Sequence, residues 1–379
     1  MAARELRITR AERLRSKAPV PLALPWQAAW NGPLATPVTA LSYACYRLGT
    51  ADGIVGYGPD TGADPALALG VDAGDVHTFW ERNMGGRRAG NAGRNAAGLE
   101  IALWDILGKA ANLPIYRLLG GGQDRLPVYA ATSRLLSKEE HVEQFQALAE
   151  AGFRAIKIRL HRAGPTDDLS VVEAVCKAVG GRVQVLTDAN QNNAAPGYAF
   201  WSRATALRVA RRLDELGVYY LEEPLPRQDL EGLAMIADTV DMRIAGGEHT
   251  PTVFDFREHL ARGAYDVIQP DVILGGNFGI TGLRLAAAWA DCFGREIIPH
   301  VTGGGNSPLA LPATLQAMAT VANCPLVEYP HDPPILIPET LQAPLRVPLT
   351  IDDGGCLRLP DLPGLGVEVD EAFFDAAAG

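Results

Sequence analysis

Short apolar runs, each ending in a polar or charged residue, recur between residues 155 and 328 of the chain. They lie at residues 155–159, 185–190, 219–224, 244–248, 267–271, 297–300 and 326–328. The residues that end them are spaced at intervals of about 23 to 34 residues, roughly the length of one strand, one loop and one helix. Strands that are apolar on both faces are typical of parallel sheets covered by helices. The repeat therefore predicts a (β/α)8-type barrel, in which the polar residues meet at the C-terminal ends of the strands, where such barrels carry their active sites.

The composition argues against several classes of function. With 379 residues, 47% of them hydrophobic, the chain can bury a large core and has room for a barrel and a smaller domain. A formal net charge of −10 at pH 7 argues against nucleic acids and anionic membranes as partners, because both need concentrated Lys and Arg. We expect no signal peptide, because the first residues mix charges and lack an apolar segment. The sequence contains no run of roughly 18 apolar residues that could span a membrane. Its five cysteines form no CxxC pair, which is typical of reduced thiols, and we expect a cytoplasmic protein.

The first 125 residues lack this rhythm and predict a separate α+β domain. Residues 38–48 and 53–57 are predicted strands joined by a tight turn that contains two glycines. Residues 95–111 are a predicted helix, because apolar side chains recur there at helical spacing and a proline follows. Strands followed by a helix indicate a small domain beside the barrel.

Residues 19–37 contain five prolines and two tryptophans, Trp26 and Trp30. We expect a loop there, because proline removes backbone donors from regular structure. Tryptophans in such a loop either bind a ligand or pack in a domain interface, and the sequence leaves both interpretations open.

The barrel is predicted to span residues 126–345, with its first strand at residues 128–132. Its outer helices are predicted at residues 138–151, 169–179, 203–216, 230–239, 254–262, 280–292 and 311–321. The tail, residues 346–379, contains predicted strands at residues 347–351 and 356–359. We expect this tail to return to the first domain, residues 1–125, and to complete it.

Three carboxylates end consecutive strands of the predicted barrel: Asp188, Glu222 and Glu248. Because consecutive strand ends are neighbours on the barrel rim, their oxygens can converge on one point, and such a set suits a hard divalent cation, Mg²⁺ first. A single carboxylate at a strand end is more often a helix N-cap or a solvated loop residue, but three in succession favour metal binding. Glu223 is predicted to point the other way and to support the ligands from behind.

Asp271 and His300 end the next two strands. A carboxylate beside an imidazole fixes its tautomer and raises its basicity, so the pair is a candidate general acid and base. A lone histidine at a strand end is more often a hydrogen-bonded structural residue. The position of His300 across the barrel mouth from Lys157 and Arg159 favours the catalytic interpretation.

With these residues assembled, the sequence resembles the enolase superfamily, and within it the mandelate racemase subgroup, which includes acid-sugar dehydratases. The resemblance spans nearly the whole chain, including the motifs at residues 102–109 and 118–121, and it implies a capping domain followed by a modified (β/α)7β barrel. The site residues that it implies are Asp188, Glu222 and Glu248 for Mg²⁺, Lys157, Asp271 and His300 for catalysis, and Glu328 as a partner of the substrate carboxylate. It also implies a homo-oligomer, a dimer or an octamer.

One position departs from the family pattern, because Arg159 stands where a second lysine is usual. A guanidinium stays protonated in proteins and cannot ordinarily act as a base. Two-base racemisation is therefore disfavoured. We expect a one-base route through His300, with Arg159 binding anionic or hydroxyl groups.

The resemblance implies abstraction of the proton α to a carboxylate, with Mg²⁺, Lys157 and a protonated Glu328 stabilising the enediolate. His300 would take this proton and return it to a departing β-hydroxyl, which dehydrates an acid sugar, an aldonate or aldarate, to a 2-keto-3-deoxy acid. Two alternatives remain: cycloisomerisation, racemisation or epimerisation of a sugar acid or lactone, and a non-catalytic binding protein on the same fold. The candidate substrate-binding residues are Asn190, Trp26 and Trp30.

Overall fold

The structure is a computed structural model, and it describes residues 5–84, 95–192, 200–276, 278–303 and 307–375. The cap strands are β1 Ile8–Arg15, β2 Val20–Trp26, β3 Val38–Leu41, β4 Ala44–Thr50 and β5 Val55–Pro59. The cap helices are α1 Val76–Asn83, α2 Ala97–Ala111 and α3 Ile115–Leu118, with 3-10 turns at Ala29–Asn31, Pro65–Ala68 and Ala73–Asp75. Strands β1, β4 and β5 form an antiparallel sheet with β4 in the middle, and β2 pairs with β3. Helix α2 approaches β5 so closely that a Cβ added to Gly58 would lie 1.8 Å from the carbonyl oxygen of Gly98.

The barrel follows the cap. Its strands are β6 Arg125–Ala131, β7 Ala155–Arg159, β8 Gln184–Asp188, β9 Tyr220–Glu222, β10 Arg243–Gly246, β11 Val267–Ile268, β12 Glu296–Ile297 and β13 Val327–Pro330. Between them lie the helices α4 Lys138–Glu150, α5 Pro165–Val179, α6 Arg203–Glu215, α7 Leu230–Ala237, α8 Val253–Ala261, α9 Gly279–Cys292 and α10 Ala310–Met318. Neighbouring strands pair in the order β12-β11-β10-β9-β8-β7-β6-β13. Val301 N, just after β12, donates to Glu328 Oε2 of β13 over 3.2 Å. The predicted fold class, a (β/α)7β barrel with an α+β cap, is confirmed.

Local signals in the sequence set the ends of the barrel helices. Helix α4 begins at a capping box, in which Ser137 Oγ accepts from Glu140 N at 3.2 Å and Glu140 Oε2 accepts from Ser137 N at 2.8 Å. Helix α5 begins at Pro165, and proline is tolerated there because an N–H in the first turn has no acceptor within the helix. The helix is followed by Gly180, whose φ of 57° is the left-handed conformation common after a helix C-terminus. Signals of this kind, together with the apolar periodicity, explain why the helices lie where the sequence predicts them.

The tail contains α11 Pro338–Leu341, β14 Cys356–Arg358 and a 3-10 turn at Glu371–Phe373. Strand β14 pairs antiparallel with β6 of the barrel. Further along, Asp375 N donates to Arg15 O at 2.9 Å, so the tail returns to the cap as predicted. The strand predicted at residues 347–351 is wrong. Only Ile351 forms a bridge there, and Pro348 interrupts the segment because it cannot donate to a ladder.

The loop predicted over residues 19–37 is also partly wrong, because β2 forms within it despite Pro21 and Pro25. In the described residues β2 is paired with β3 alone. A strand with one open edge tolerates proline, since the missing N–H can fall on the unpaired side. The strand predicted at residues 38–48 is interrupted between β3 and β4.

The cap is attached to the barrel through the buried carboxylate of Glu100 in α2. This side chain accepts from Ile280 N and Thr281 N, both at 3.0 Å, at the start of α9. The apolar core runs from the cap into the layer between the barrel strands and their helices, and a second group of apolar residues fills the barrel interior. No helix in the described ranges is both long and apolar enough to cross a membrane. The limits of the predicted segments, residues 1–125, 126–345 and 346–379, stay a prediction.

Candidate active site

The strand register places several predicted site residues side by side. Arg159 of β7 is opposite Asp188 of β8, and Asp188 is opposite Glu222 of β9. Farther round the sheet, Asp271 and His300 form a parallel bridge. Opposite residues of parallel strands point to the same side, so these side chains collect at the C-terminal ends of the strands.

Lys157 lies between two of the predicted acidic residues and is 0% exposed. Its Nζ is 2.9 Å from Glu222 Oε2 and 3.1 Å from Glu328 Oε1. Burial lowers the pKa of Lys157, but the charges of Glu222 and Glu328 raise it by more, and the net shift is upward. The ammonium is therefore a fixed positive charge, suited to stabilising negative charge rather than to accepting a proton.

The cations around Glu328 favour its ionised form. Burial raises its pKa, but Lys157, His300 and Arg159 lower it by more, so the net shift is downward. This differs from the protonated acid that the resemblance implies. The physical reason is the number of cations that face this one carboxylate.

The three predicted metal ligands each face a basic side chain of the protein. In the described part of the chain no group of three or more His, Cys, Asp or Glu side chains is arranged to hold a metal ion. Arg159 contacts Asp188 and Lys157 contacts Glu222 instead. The donor set of Asp188, Glu222 and Glu248 nevertheless fits a hard divalent cation in its chemistry.

Two observations support that fit. Glu222 Oε1 is buried and has no hydrogen-bond partner among the described residues. Burial and the charge of Glu222 raise the pKa of Asp188 to about 8, even though Arg159 and Lys157 act in the opposite direction. Carboxylates crowded in this way would be relieved by a bound cation. Their assignment as Mg²⁺ ligands stays a prediction.

Glu223 follows Glu222 but has a left-handed backbone conformation, with φ 47°. Its Oε1 accepts from Asn192 Nδ2. Burial, Glu248 and Asp188 together raise the pKa of Glu223 well above its ordinary value. Its predicted role behind the ligands stays a prediction.

The predicted dyad is formed. His300 Nδ1 is 2.6 Å from Asp271 Oδ2, and His300 Nε2 is 3.2 Å from Glu248 Oε2. An ionised carboxylate only accepts, so Nδ1 carries the proton that faces Asp271, and Nε2 is the ring atom available for proton transfer. Burial lowers the pKa of His300, but Glu248, Glu328 and Asp271 raise it to about 10.

Arg159 is buried beside these groups and is 4% exposed. Its Nε donates to Thr132 O at 3.0 Å, and its Nη1 donates to Asp188 Oδ2. Burial lowers the pKa of Arg159, but Asp188, Glu222 and the other carboxylates raise it further, so the net shift is upward. The guanidinium is thus held charged.

A cavity of about 600 Å³ opens at this end of the barrel. The predicted site residues that line it are Trp26, Trp30, Arg159, Asn190, Glu248, His300 and Glu328. The remaining four are each 0% exposed and lie behind this surface: Lys157, Asp188, Glu222 and Asp271. The structure therefore brings the predicted residues to one region, but only the first seven reach the cavity surface.

Polar residues that the sequence analysis missed also line the cavity: Asn31, Ser133, His249 and Thr302. Ser133 lies two residues after β6, and Thr302 lies two residues after His300. The same signal, a polar residue just beyond a strand, could have identified both. His249 contacts Glu248, with Nε2 3.0 Å from Glu248 Oε1.

The chain matches two protein families over most of its length. Residues 14–120 match the family described as Mandelate racemase / muconate lactonizing enzyme, N-terminal domain, and residues 140–373 match Enolase C-terminal domain-like. The chain therefore belongs to the enolase superfamily, in its mandelate racemase and muconate lactonizing enzyme family. The predicted resemblance is confirmed.

Similar proteins include dehydratases and isomerases. Arabinonate dehydratase of Saccharolobus solfataricus is 29% identical over 347 residues, which cover 86% of this chain and 88% of that protein. D-galactarolactone cycloisomerase of Agrobacterium fabrum is 32% identical over 345 residues, which cover 84% of this chain and 86% of that protein. The crystal structure of a racemase from Streptomyces coelicolor A3(2) with bound magnesium is 26% identical and matches with a TM-score of 0.79, over 97% of this chain and 100% of that chain.

Proposed function

We propose that this protein is a Mg²⁺-dependent acid-sugar dehydratase, which converts an aldonate or aldarate to a 2-keto-3-deoxy acid. The observation that carries the proposal is the His300–Asp271 pair. His300 lines the same cavity as Arg159 and Glu328, and the relatives include dehydratases of sugar acids. An acid and base, fixed positive charge and a cavity for a small molecule are the parts that this reaction needs.

In the proposed reaction His300 acts first as a base and then as an acid. His300 Nδ1 donates a hydrogen bond to Asp271 Oδ2 at 2.6 Å, so Nε2 is the atom that takes the proton α to the substrate carboxylate. The imidazolium then returns that proton to the departing β-hydroxyl, which leaves as water. Because Glu248 is the largest influence raising the pKa of His300, a base role requires that Glu248 be engaged by another cation.

The charge that develops on the substrate is met by Lys157 and Arg159. Lys157 Nζ lies 3.1 Å from Glu328 Oε1, and Arg159 Nη2 lies 3.9 Å from the same atom. Cations that the protein already holds in place stabilise a developing anion without reorganising. Mg²⁺, when bound by Asp188, Glu222 and Glu248, supplies further positive charge that makes the α-proton more acidic.

Cycloisomerisation is the second candidate, because it begins from the same proton transfer. Relatives include the D-galactarolactone cycloisomerase and a 3,6-anhydro-alpha-L-galactonate cycloisomerase of Streptomyces coelicolor, 32% and 31% identical. Racemisation by two bases is disfavoured, since Arg159 is held charged by Asp188. Dehydration, cycloisomerisation and epimerisation differ in their products.

The test is a screen of the purified protein with Mg²⁺ against a library of aldonates and aldarates, with keto-acid formation as the readout. Proton NMR in D2O separates the candidates: dehydration of an open-chain acid gives a keto acid and water, cycloisomerisation of a sugar lactone added to the library gives a ring-opened isomer, and epimerisation gives deuterated isomers. The His300→Asn variant in the same screen is the control. If every sugar acid is recovered unchanged and undeuterated, the proposal is wrong.

A further inference from the structure

Arg159 is held in a fixed plane by its contacts with the barrel. Nε donates to Thr132 O at 3.0 Å, and Nη1 donates to Asp188 Oδ2 and, at 3.4 Å, to Asn190 Oδ1. Nη2 forms no hydrogen bond to the residues that the structure describes. The acidic atom facing it, Glu328 Oε1, is 3.9 Å away, beyond hydrogen-bond distance.

The cap holds the face of the same guanidinium. Arg159 Cζ lies 4.6 Å from the centroid of the Trp30 ring, which is a cation–π contact. Trp30 and Arg159 are about 129 positions apart in the chain, so this contact exists only where the cap is seated over the barrel. Both residues line the cavity.

Trp26 offers a natural comparison. Its ring lies 6.3 Å from that of Trp30, edge to face, and it lines the same cavity. Its Nε1 donates to Ser133 Oγ at 2.8 Å, however, and it makes no cation–π contact with Arg159 among the described residues. Both tryptophans therefore line the cavity, but Trp26 bonds to Ser133 and Trp30 covers the guanidinium of Arg159.

We propose that Trp30 is a positioning residue that acts through Arg159, and that the Nη2 edge of Arg159 is a binding group for the carboxylate and α-hydroxyl end of the substrate. The inference rests on the proposed function and names the part of the site that recognises a 2-hydroxy acid. Two of the three guanidinium nitrogens are committed to the protein, the face is covered by Trp30, and the third nitrogen lies beside Glu328 at the reaction centre. A lysine at this position could not be fixed in this way, because an ammonium lacks the planar fork.

The expected effects follow from these contacts. A hydrogen bond from a charged donor is worth roughly ten- to a hundredfold in binding, so Arg159→Met should weaken ligand binding by at least about tenfold. Trp30→Leu leaves the other Arg159 contacts in place but frees one face of the guanidinium. A cation–π contact is worth roughly two- to fivefold at an exposed site and more where the cation is buried, as Arg159 is, so binding should weaken by at least about twofold. Trp30→Phe keeps an aromatic face and should stay within about twofold of the wild type.

The probe is glycolate, the smallest molecule that carries both a carboxylate and an α-hydroxyl, titrated with Mg²⁺ present and followed by ligand-observed NMR. Glycolate has no β-hydroxyl and cannot be dehydrated, so its binding is measured independently of turnover. If Trp30 acts through Arg159, Trp30→Leu should weaken binding in the wild type but not in Arg159→Met. The matched control, Trp26→Leu, should have the same effect in both backgrounds.

The proposal is overturned if wild type does not bind glycolate, if Arg159→Met binds it as well as wild type, or if Trp30→Leu weakens binding equally in both backgrounds. Should Arg159→Met fail to fold, the ¹⁵N NMR signal of Arg159 Nε–H provides a second measurement. That signal should shift in Trp30→Leu, move little in Trp30→Phe and stay in place in Trp26→Leu. A product screen without dehydration would contradict the proposed function but leave this binding result intact.

Discussion

Replacing Asp271 with asparagine should disable His300 without unfolding the site. Asp271 Oδ1 accepts from Ile273 N at 2.7 Å and from Leu274 N at 2.9 Å, and Oδ2 accepts from Thr302 Oγ1 at 2.8 Å and from His300 Nδ1 at 2.6 Å. An asparagine has one oxygen, and backbone N–H groups can only donate, so that oxygen stays with the backbone. The new amide group then faces His300 and donates to Nδ1.

This exchange changes the tautomer of the imidazole. When Nδ1 accepts, the ring proton of the neutral form moves to Nε2, the atom proposed to take the α-proton. Loss of a positioned general base costs about 10²- to 10⁴-fold in rate. Hydrogen bonds to a charged group are worth about 1.5 to 3 kcal/mol in stability, so the loss of the carboxylate charge should cost no more than a few kcal/mol and leave the protein folded.

The assay is exchange of the α-proton with D2O, measured by NMR for the substrate found in the screen. Asp271→Asn should exchange about 10²- to 10⁴-fold more slowly than wild type while unfolding cooperatively. Asp168→Asn is the matched control, because Asp168 is a buried carboxylate on α5 that bonds to Arg162 outside the cavity lining. Exchange by Asp271→Asn within about threefold of the wild-type rate would refute the tautomer argument.

Three further predictions concern the metal, the effect of pH on stability and the assembly. Glu222→Gln should fold, because an amide oxygen can keep the hydrogen bonds from Lys157 Nζ and Gln269 Nε2, both at 2.9 Å. The variant should lose activity and the rise in melting temperature that Mg²⁺ causes in the wild type. An equal rise in wild type and variant, or none in the wild type, would contradict the metal assignment. Burial lowers the pKa of His141 to about 4, below its value of about 6.5 in the unfolded chain. The stability that depends on the neutral imidazole is therefore present above pH 6.5 and is lost as the pH falls towards 4. Between pH 7.5 and 5 the free energy of unfolding should fall by about 2 kcal/mol. Urea unfolding at the two pH values should show this loss in wild type and a smaller one in His141→Gln, whereas equal losses would refute the attribution. Light scattering should find a dimer or an octamer, and a monomer at micromolar concentration would contradict the predicted homo-oligomer.

The fold could be predicted because its signal is local and repeated. Apolar runs ending in Asp188, Glu222 and Glu248 mark consecutive barrel strands, and a capping residue, Ser137, marks the start of α4 after β6, the first barrel strand. The grouping of the site residues follows from the strand order, because the C-terminal ends of neighbouring parallel strands lie side by side at one end of the barrel. These features need no knowledge of the contacts between the cap and the barrel.

The contacts that involve the cap could not be predicted in the same way. The stacking of Trp30 on Arg159 depends on how one domain sits on another, and no periodicity encodes it. The lowered pKa of Glu328 depends in part on Lys157, whose Nζ is 3.1 Å away, and spacing along the chain does not give that distance. Prolines at positions 21 and 25 favoured a loop, but an edge strand can hold them.

Deuterium incorporation at the α-carbon by His300→Asn, compared with wild type in D2O with Mg²⁺ and the true substrate, tests the central claim most directly. The one-base account predicts that the variant loses both exchange and product, because Arg159 is held charged by Asp188 and Lys157 by Glu222 and Glu328. Cooperative unfolding of the variant provides the control for its fold. Exchange near the wild-type rate would show a second base in the cavity and contradict the account.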